Sequence, residues 1–152
     1  MESYPQVFKP LKEFFEERGN DCVLTTVDDT PMLRAVVPLL EDGRGLVIME
    51  IFSIDYCEGT ELLNLYTTMT KDNGPGMENL RKAANDWNLD SMAGGYGVYG
   101  QPGELFHRHT LALATELPQA VKDQMALEAL YITMDEITRR LPDAIRILNG
   151  RA

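Results

Sequence analysis

The length of the chain, 152 residues, allows one buried core but no second ordinary domain, so we expect a single domain over 1–152. Its 44% hydrophobic and 25% charged residues exclude a disordered or fibrous protein. Its net charge of −10 would repel the phosphates of nucleic acids and of anionic lipids, so we expect neither a nucleic acid nor a membrane as a partner.

The first residues and the two cysteines predict a cytoplasmic protein. Residues 1–5 offer neither the basic nor the apolar segment of a secretory signal, and no apolar run reaches membrane-spanning length. Cys22 and Cys57 are too few for a disulfide scaffold and lack CxxC spacing. Both are therefore expected as reduced thiols.

An amphipathic helix is predicted near the start of the chain. Its apolar residues recur at helical spacing and its charged residues fall on the opposite side. Gly19 follows at the position where a residue with positive φ ends a helix. The predicted apolar stripe consists of Val7, Phe8, Leu11, Phe14 and Phe15.

A β-hairpin is predicted next. The segment 22–27 is β-branched and apolar, 28–31 has the composition of a turn, and 32–40 is a second extended run. Pro38 cannot donate a ladder hydrogen bond, so the end of the second strand should lie at an edge or a bulge. Another turn is expected at 41–45.

Two further segments follow before the next break. The segment 46–54 is nearly continuous in apolar residues, which predicts a central strand covered on both faces. The segment 61–70 fits both a strand and a helix, and the pair Thr67 and Thr68 favours a strand. A turn at 72–76 ends this region.

The second half of the chain predicts a helix, a hairpin and a long helix. The second helix is marked by Met77, Leu80, Ala83, Ala84 and Trp87. Extended runs at 95–99 and 104–114 flank a tight turn at 100–103, which predicts a hairpin.

The last helix should open with Pro118 at its first position and run to Leu141, about 24 residues and about 36 Å. Pro142 is expected to kink or restart it. Its length favours an isologous dimer that covers leftover apolar surface, and the alternative is a helix lying across its own sheet.

The segment 95–100 spells G-x-G-x-x-G, the fingerprint of dinucleotide binding. That motif needs a strand before it and a helix after it, whereas here a helix precedes and a hairpin follows. We expect instead that Gly95 and Gly97 leave one strand face bare for the close approach of a helix or a partner strand.

His107 and His109 are separated by one residue on a predicted strand, so both side chains point to the same face and could chelate a metal. A third ligand would have to come from Asp55, Cys57 or Glu58. The alternative is a pair of ordinary histidines on a sheet face, and no metal or other cofactor is predicted.

Chemistry typical of an enzyme is absent from the sequence. No GxSxG, HExxH or P-loop occurs, and no carboxylate pair or nucleophile stands out, so we expect no enzymatic activity. Aromatic and apolar residues around the hairpin and on the last helix are the candidate protein-binding residues. They are Tyr96, Tyr99, Met125, Leu130, Met134 and Ile137.

Three stretches carry a resemblance to a known group of proteins. They are NLRKAANDWN at 79–88, GVYGQPGELFHR at 97–108 and LPDAI at 141–145. With the order helix, strands, helix, hairpin, helix, the chain resembles the YbjN and type III secretion chaperone-like superfamily over nearly its whole length.

The resemblance implies a two-layer α+β domain in which a predominantly antiparallel sheet packs against helices, in the order α-β-β-β-(β)-α-β-β-α. It also implies a homodimer that binds a client polypeptide, or acts in regulation, without catalysing a reaction. The extra strand at 61–70 departs from the simplest secretion-chaperone layout. The alternative function is a small-ligand or metal-binding domain that uses His107 and His109.

Overall fold

A computed structural model describes residues 4–40, 45–71, 76–100 and 103–150 of the chain. These residues form an α+β fold in the predicted order, with the uncertain segment 61–70 as a strand. The predicted turns at 41–45, 72–76 and 100–103 lie largely outside the described residues. The elements are α1 (Phe8–Glu17), β1 (Asp21–Val27), β2 (Thr30–Pro38), β3 (Leu46–Cys57), β4 (Thr60–Lys71), α2 (Gly76–Asp90), β5 (Gly95–Tyr99), β6 (Glu104–Ala114) and α3 (Gln119–Leu148).

The strands form one antiparallel sheet in the order β1-β2-β3-β4-β6-β5. The chain lays down β1 to β4 as successive neighbours. The helix α2 then leads to β5 at the far edge of the sheet. The last strand, β6, fills the position between β4 and β5. Because β4 pairs with β3 on one side and β6 on the other, its Thr and Leu residues sit in the middle of the sheet.

The helices cover one face of this sheet, which we call the helix face. In β2 and β3 every second side chain is buried on that face, as Val47, Met49 and Ile51 show. Leu46 and Ile54, whose side chains point to the opposite face of β3, are 61% and 47% exposed. The prediction that the segment 46–54 is covered on both faces is therefore wrong, because α1, α2 and α3 all join the core from the helix face.

The predicted first helix is confirmed with the predicted stripe. Phe8, Leu11, Phe14 and Phe15 are buried against the sheet, and Gly19 follows the helix with φ of +73°. Pro38 is the last residue of β2 and pairs only with β3, since β1 begins opposite Val36. The missing N–H of this proline therefore interrupts no ladder on the β1 side.

The last helix is longer and more regular than predicted. Pro118 precedes it with ψ of 142° instead of occupying its first turn, and the helix is continuous from Gln119 to Leu148, about 45 Å. The helix does not restart at Pro142, because it runs through this residue without a break. Leu141 and Ala144 on either side of it are fully buried, and this packing holds the helix through the proline. No helix formed by the described residues is both long and apolar enough to cross a bilayer.

The strand that carries G-x-G-x-x-G is the edge strand β5, so this segment is not the turn between a strand and a helix. The bare side of Gly97 is filled by the ring of Phe106 from β6. A Cβ atom at position 97 would lie 2.6 Å from that ring, which also stacks on Tyr66 at 5.1 Å between centroids. At Gly97 a side chain of the same sheet therefore uses the space. At Gly95 the nearest atom is Oδ1 of Asn88 on α2, 3.4 Å from where a Cβ atom would lie, so a helix does approach there.

Two glycines with similar backbone angles should respond differently to alanine. Gly59 and Gly94 have φ of +82° and +70°, but only at Gly94 would a Cβ meet backbone, 2.4 Å from the carbonyl oxygen of Arg108. We expect Gly59→Ala to lower the free energy of unfolding by about 1 kcal/mol and Gly94→Ala by about 3 kcal/mol or more. Urea unfolding measures both, and equal losses would contradict the close contact at Gly94.

Candidate functional site

The two histidines lie on the helix face of β6, on the same side, as predicted. His107 is fully buried, and its Nε2 donates a hydrogen bond to the carbonyl oxygen of Ala93 at 2.9 Å. The Nδ1 atom of His109 lies 3.1 Å from the hydroxyl oxygen of Thr133 on α3. The two rings therefore make separate contacts with different segments and do not converge on one point.

The predicted third ligands lie far from these histidines. Asp55, Cys57 and Glu58 are at the turn between β3 and β4, where Thr60 pairs with Ala114. Ala114 is five residues beyond His109 along β6, a separation of about 17 Å. Within the described part of the chain, no three side chains of His, Cys, Asp or Glu gather as a metal site would require.

A buried polar network links the β5–β6 hairpin to α3. The hydroxyl group of Tyr96 donates to Glu136, whose main-chain oxygen and Oε1 both lie 3.2 Å away. Glu136 is only 4% exposed, and its carboxylate is also bound by Arg139 and approached by Arg140 at 3.8 Å. The ring of Tyr96 meets the imidazole of His107 edge-on at 4.9 Å. These contacts fix the hairpin on the helix.

The surroundings of this network shift the pKa values of its members. Burial raises the pKa of Glu136, but hydrogen bonds from Arg139, Ser91 and Tyr96 outweigh it and hold the pKa below 4.5. Burial lowers the pKa of His107 and of His109 below 6.5, although a hydrogen bond to a main-chain carbonyl opposes the change in each case. The cluster therefore holds one carboxylate and two neutral imidazoles at neutral pH, and arginines compensate the carboxylate.

Most of the predicted protein-binding residues belong to the core. Tyr96 is 6% exposed, and Leu130 and Ile137 are fully buried. Met125 and Met134 are partly buried and pack against the same core. Tyr96, Leu130 and Ile137 therefore belong to the core in this fold, whereas Met125 and Met134 keep part of their surface exposed. Tyr99, 67% exposed, remains as a surface residue.

The sheet surface opposite the helices, which we call the open face, carries no helix among the described residues. Side chains of alternate strand residues from β1 to β6 form it. Arg34 and Glu50 form an ion pair of 2.7 Å in its middle, and Tyr66 stacks on Phe106 beside it. Six large hydrophobic side chains on this face are exposed, namely Val23, Val27, Val36, Leu46, Ile54 and Tyr99.

The two edges of the sheet differ in how they are protected. At the β5 edge the side-chain amide of Asn88 accepts from the main-chain N–H of Tyr96 at 2.7 Å and donates to its carbonyl oxygen at 2.9 Å. The amide thus takes the place of a neighbouring strand. At the other edge, no described strand lies beyond β1. This strand has no Pro, Lys or Gly, the residues that commonly blunt an edge.

The turn after β1 shows which main-chain groups point outward. Asp28 and Asp29 have φ of 48° and 65°, the signature of a type I′ hairpin turn. The two residues that flank such a turn, Val27 and Thr30, are hydrogen-bonded to each other. Every second residue of β1 before Val27 therefore also bonds to β2, and the residues between them do not. The N–H and C=O groups of Cys22 and Leu24 therefore point away from β2.

A groove adjoins this edge. It has a volume of about 600 Å³ and lies between α1, the start of α3 and the side chain of Leu24. Apolar atoms of Pro5, Phe8 and Leu24 line it together with charged groups such as Lys9 and Asp123. Sequence reasoning missed both the groove and the difference between the edges. Only the lack of edge-blunting residues in β1 could have been read from the sequence.

Comparison with known proteins does not name a relative. No family model matches the chain, and no curated protein matches it significantly. The surfaces of the domain therefore carry the evidence for its function.

The two histidines should titrate below their ordinary value. We expect NMR titration of the imidazole Cε1–H signals to place both midpoints below about 6.5, because burial opposes the charged form. Since the unfolded chain takes up these protons first, stability is present above about pH 6.5 and is lost as the pH falls through the folded-state midpoints. The urea-unfolded chain is the control, and a folded midpoint at or above the unfolded one would contradict the burial.

Proposed function

We propose that this chain is a non-enzymatic protein-binding domain, chaperone-like or regulatory, that captures an extended segment of a client polypeptide on the outer edge of β1. The observation that carries the proposal is the difference between the two sheet edges. Asn88 binds the outward main-chain groups of Tyr96 on the β5 edge, whereas no described strand lies beyond β1, where the main-chain groups of Cys22 and Leu24 point outward. The element order behind the resemblance to YbjN and secretion chaperone-like domains supports the same proposal.

A strand added to β1 would gain affinity from main-chain hydrogen bonds. Cys22 and Leu24 direct two N–H donors and two C=O acceptors outward, spaced as in an antiparallel ladder. Such bonds form with any sequence, which suits a domain whose clients vary. The thiol of Cys22 does not interfere, because burial raises its pKa to about 11 and keeps it protonated at neutral pH.

Side chains of the added strand would supply selectivity. Alternate residues of a strand point to one face, so one client side chain beside Leu24 would enter the groove between α1 and α3. The volume of about 600 Å³ accepts a large aliphatic or aromatic side chain. We therefore expect a preference for clients with an apolar residue at that position.

The charges around β1 favour a basic client over a second copy of this chain. Asp21 begins the strand, and Asp28 and Asp29 follow it. Basic residues at both ends of a client segment would meet these carboxylates. If two copies paired through β1 with Leu24 at the centre, Asp21 of one copy would approach Asp28 of the other, and the net charge of −10 on each would add to the repulsion.

The free thiols of Cys22 and Cys57 suit a reducing compartment, so we propose that the domain acts in the cytoplasm.

A designed peptide tests the β1 edge. The fluorescein-labelled probe Lys-Arg-Val-Thr-Val-Thr-Val-Arg-Lys should bind with a Kd of about 10 µM or tighter, as measured by fluorescence anisotropy. Leu24→Pro removes one outward N–H but no bond to β2, and it should weaken binding at least about 10-fold. Circular dichroism checks that the variant stays folded.

The controls separate charge from main-chain pairing. A matched peptide with Glu in place of Lys and Arg should bind at least about 10-fold more weakly at low salt, and added salt should narrow the difference. If the basic probe fails to bind, or if Leu24→Pro binds it as well as the unmodified protein does, the β1 edge is not the client site.

A further inference from the structure

We propose that the open face of the sheet is the interface through which two copies of this chain form a homodimer. The sequence pointed to the C-terminal helix for this role, but the structure assigns a different surface. This proposal does not depend on the β1 edge, since a dimer through the open face leaves both β1 strands at the perimeter, free to bind a client. Either proposal can fail while the other holds.

The helix α3 exposes three large hydrophobic side chains, those of Val121, Tyr131 and Ile132, against six on the open face. Its buried residues, among them Ala126, Leu130 and Ile137, face its own sheet. Of its exposed apolar residues, Tyr131 already packs edge-on against Phe14 at 5.0 Å between ring centroids. The helix therefore already buries its apolar stripe in the monomer, in agreement with the alternative that it lies across its own sheet.

The open face is electrically neutral, although the chain carries a net charge of −10. Its described strand residues comprise three cations and three carboxylates, and Arg34–Glu50 and Lys71–Glu104 already form ion pairs. Two copies can therefore meet on this face without the repulsion that opposes contact over the acidic remainder of the surface. The charged residues are Arg34, Lys71, Arg108, Asp21, Glu50 and Glu104.

The size and composition of the face also fit a second copy. Six strands about 4.8 Å apart and four rows of side chains about 6.7 Å apart give each side chain about 32 Å² and the face a geometric area of about 770 Å². The accessible area is larger than this flat area, because side chains project from the sheet. It is therefore comparable to the area of about 800 Å² that each partner buries in a stable interface. Exposed apolar side chains such as Val36 and Ile54 lie within this area. Packed on itself across a two-fold axis, the face would form the core of a sandwich about 10 Å thick.

Two pairs of matched substitutions distinguish the open face from the helix. On the open face, Val36 and Ile54 are 36% and 47% exposed. On α3, the matching residues Val121 and Ile132 are 43% and 49% exposed. Sedimentation equilibrium should show a dimer for the unmodified chain. The double variant Val36→Lys/Ile54→Lys should dimerise at least about 100-fold more weakly, because it buries four lysines per dimer. Val121→Lys/Ile132→Lys should change the dimer dissociation constant by less than about 3-fold.

A second variant guards against misfolding. If circular dichroism shows that the open-face lysine pair is unfolded, Val36→Thr/Ile54→Thr keeps the β-branched shape and should weaken the dimer at least about 10-fold. A monomer at every accessible protein concentration would overturn the proposal, as would a dimer that the α3 substitutions disrupt and the open-face substitutions leave intact. The peptide-binding readout at β1 is independent of each of these results.

Discussion

The packing of three helices on a single face of a six-stranded sheet is the constraint on which the other properties of this domain depend. The strands alternate in burial because Leu33, Ala35 and Val37, like Val47, Met49 and Ile51, meet helices on one side only. The buried apolar stripes of all three helices, including that of α3, pack there, while Leu89, Val121 and Ile132 stay exposed on the helices. The opposite face must then either meet water with its exposed valines, isoleucine and leucine or be covered by another molecule.

The edges of the sheet follow from the same arrangement. Because α2 leads the chain to β5, Asn88 near the end of this helix lies beside that strand. Its side-chain amide forms hydrogen bonds with both the main-chain N–H and the carbonyl oxygen of Tyr96. The helix α1, which precedes β1, packs on the helix face near that edge and leaves a groove next to Leu24. At one edge the connecting helix thus binds the outward main-chain groups of Tyr96, and at the other a groove lies beside the strand.

The buried polar network around Glu136 directs the side chains of Tyr96 and His107 into the molecule. Tyr96, Trp87 and His107 pack ring against ring under the hairpin, and the tyrosine hydroxyl reaches the helix carboxylate. Every one of these groups is directed into the molecule. A network with an arginine-compensated carboxylate specifies how the hairpin docks on α3, which is a structural role.

The sequence by itself determined the element types and their order, because each follows from local patterns: the apolar spacing of α1, Gly19 after it, and the alternation in 104–114. The strand at 61–70 followed from the β-branched pair Thr67 and Thr68, because periodicity alone also fitted a helix. The same-side placement of His107 and His109 followed from local periodicity. Only the tertiary structure decided which side chains are exposed. Leu130 and Ile137 look the same in sequence as residues of an interface, and Leu46 and Ile54 look the same as residues of a covered strand. Burial depends on which face the helices choose and on which edge α2 reaches, and these contacts join residues far apart in the chain, whose relative positions no local pattern encodes.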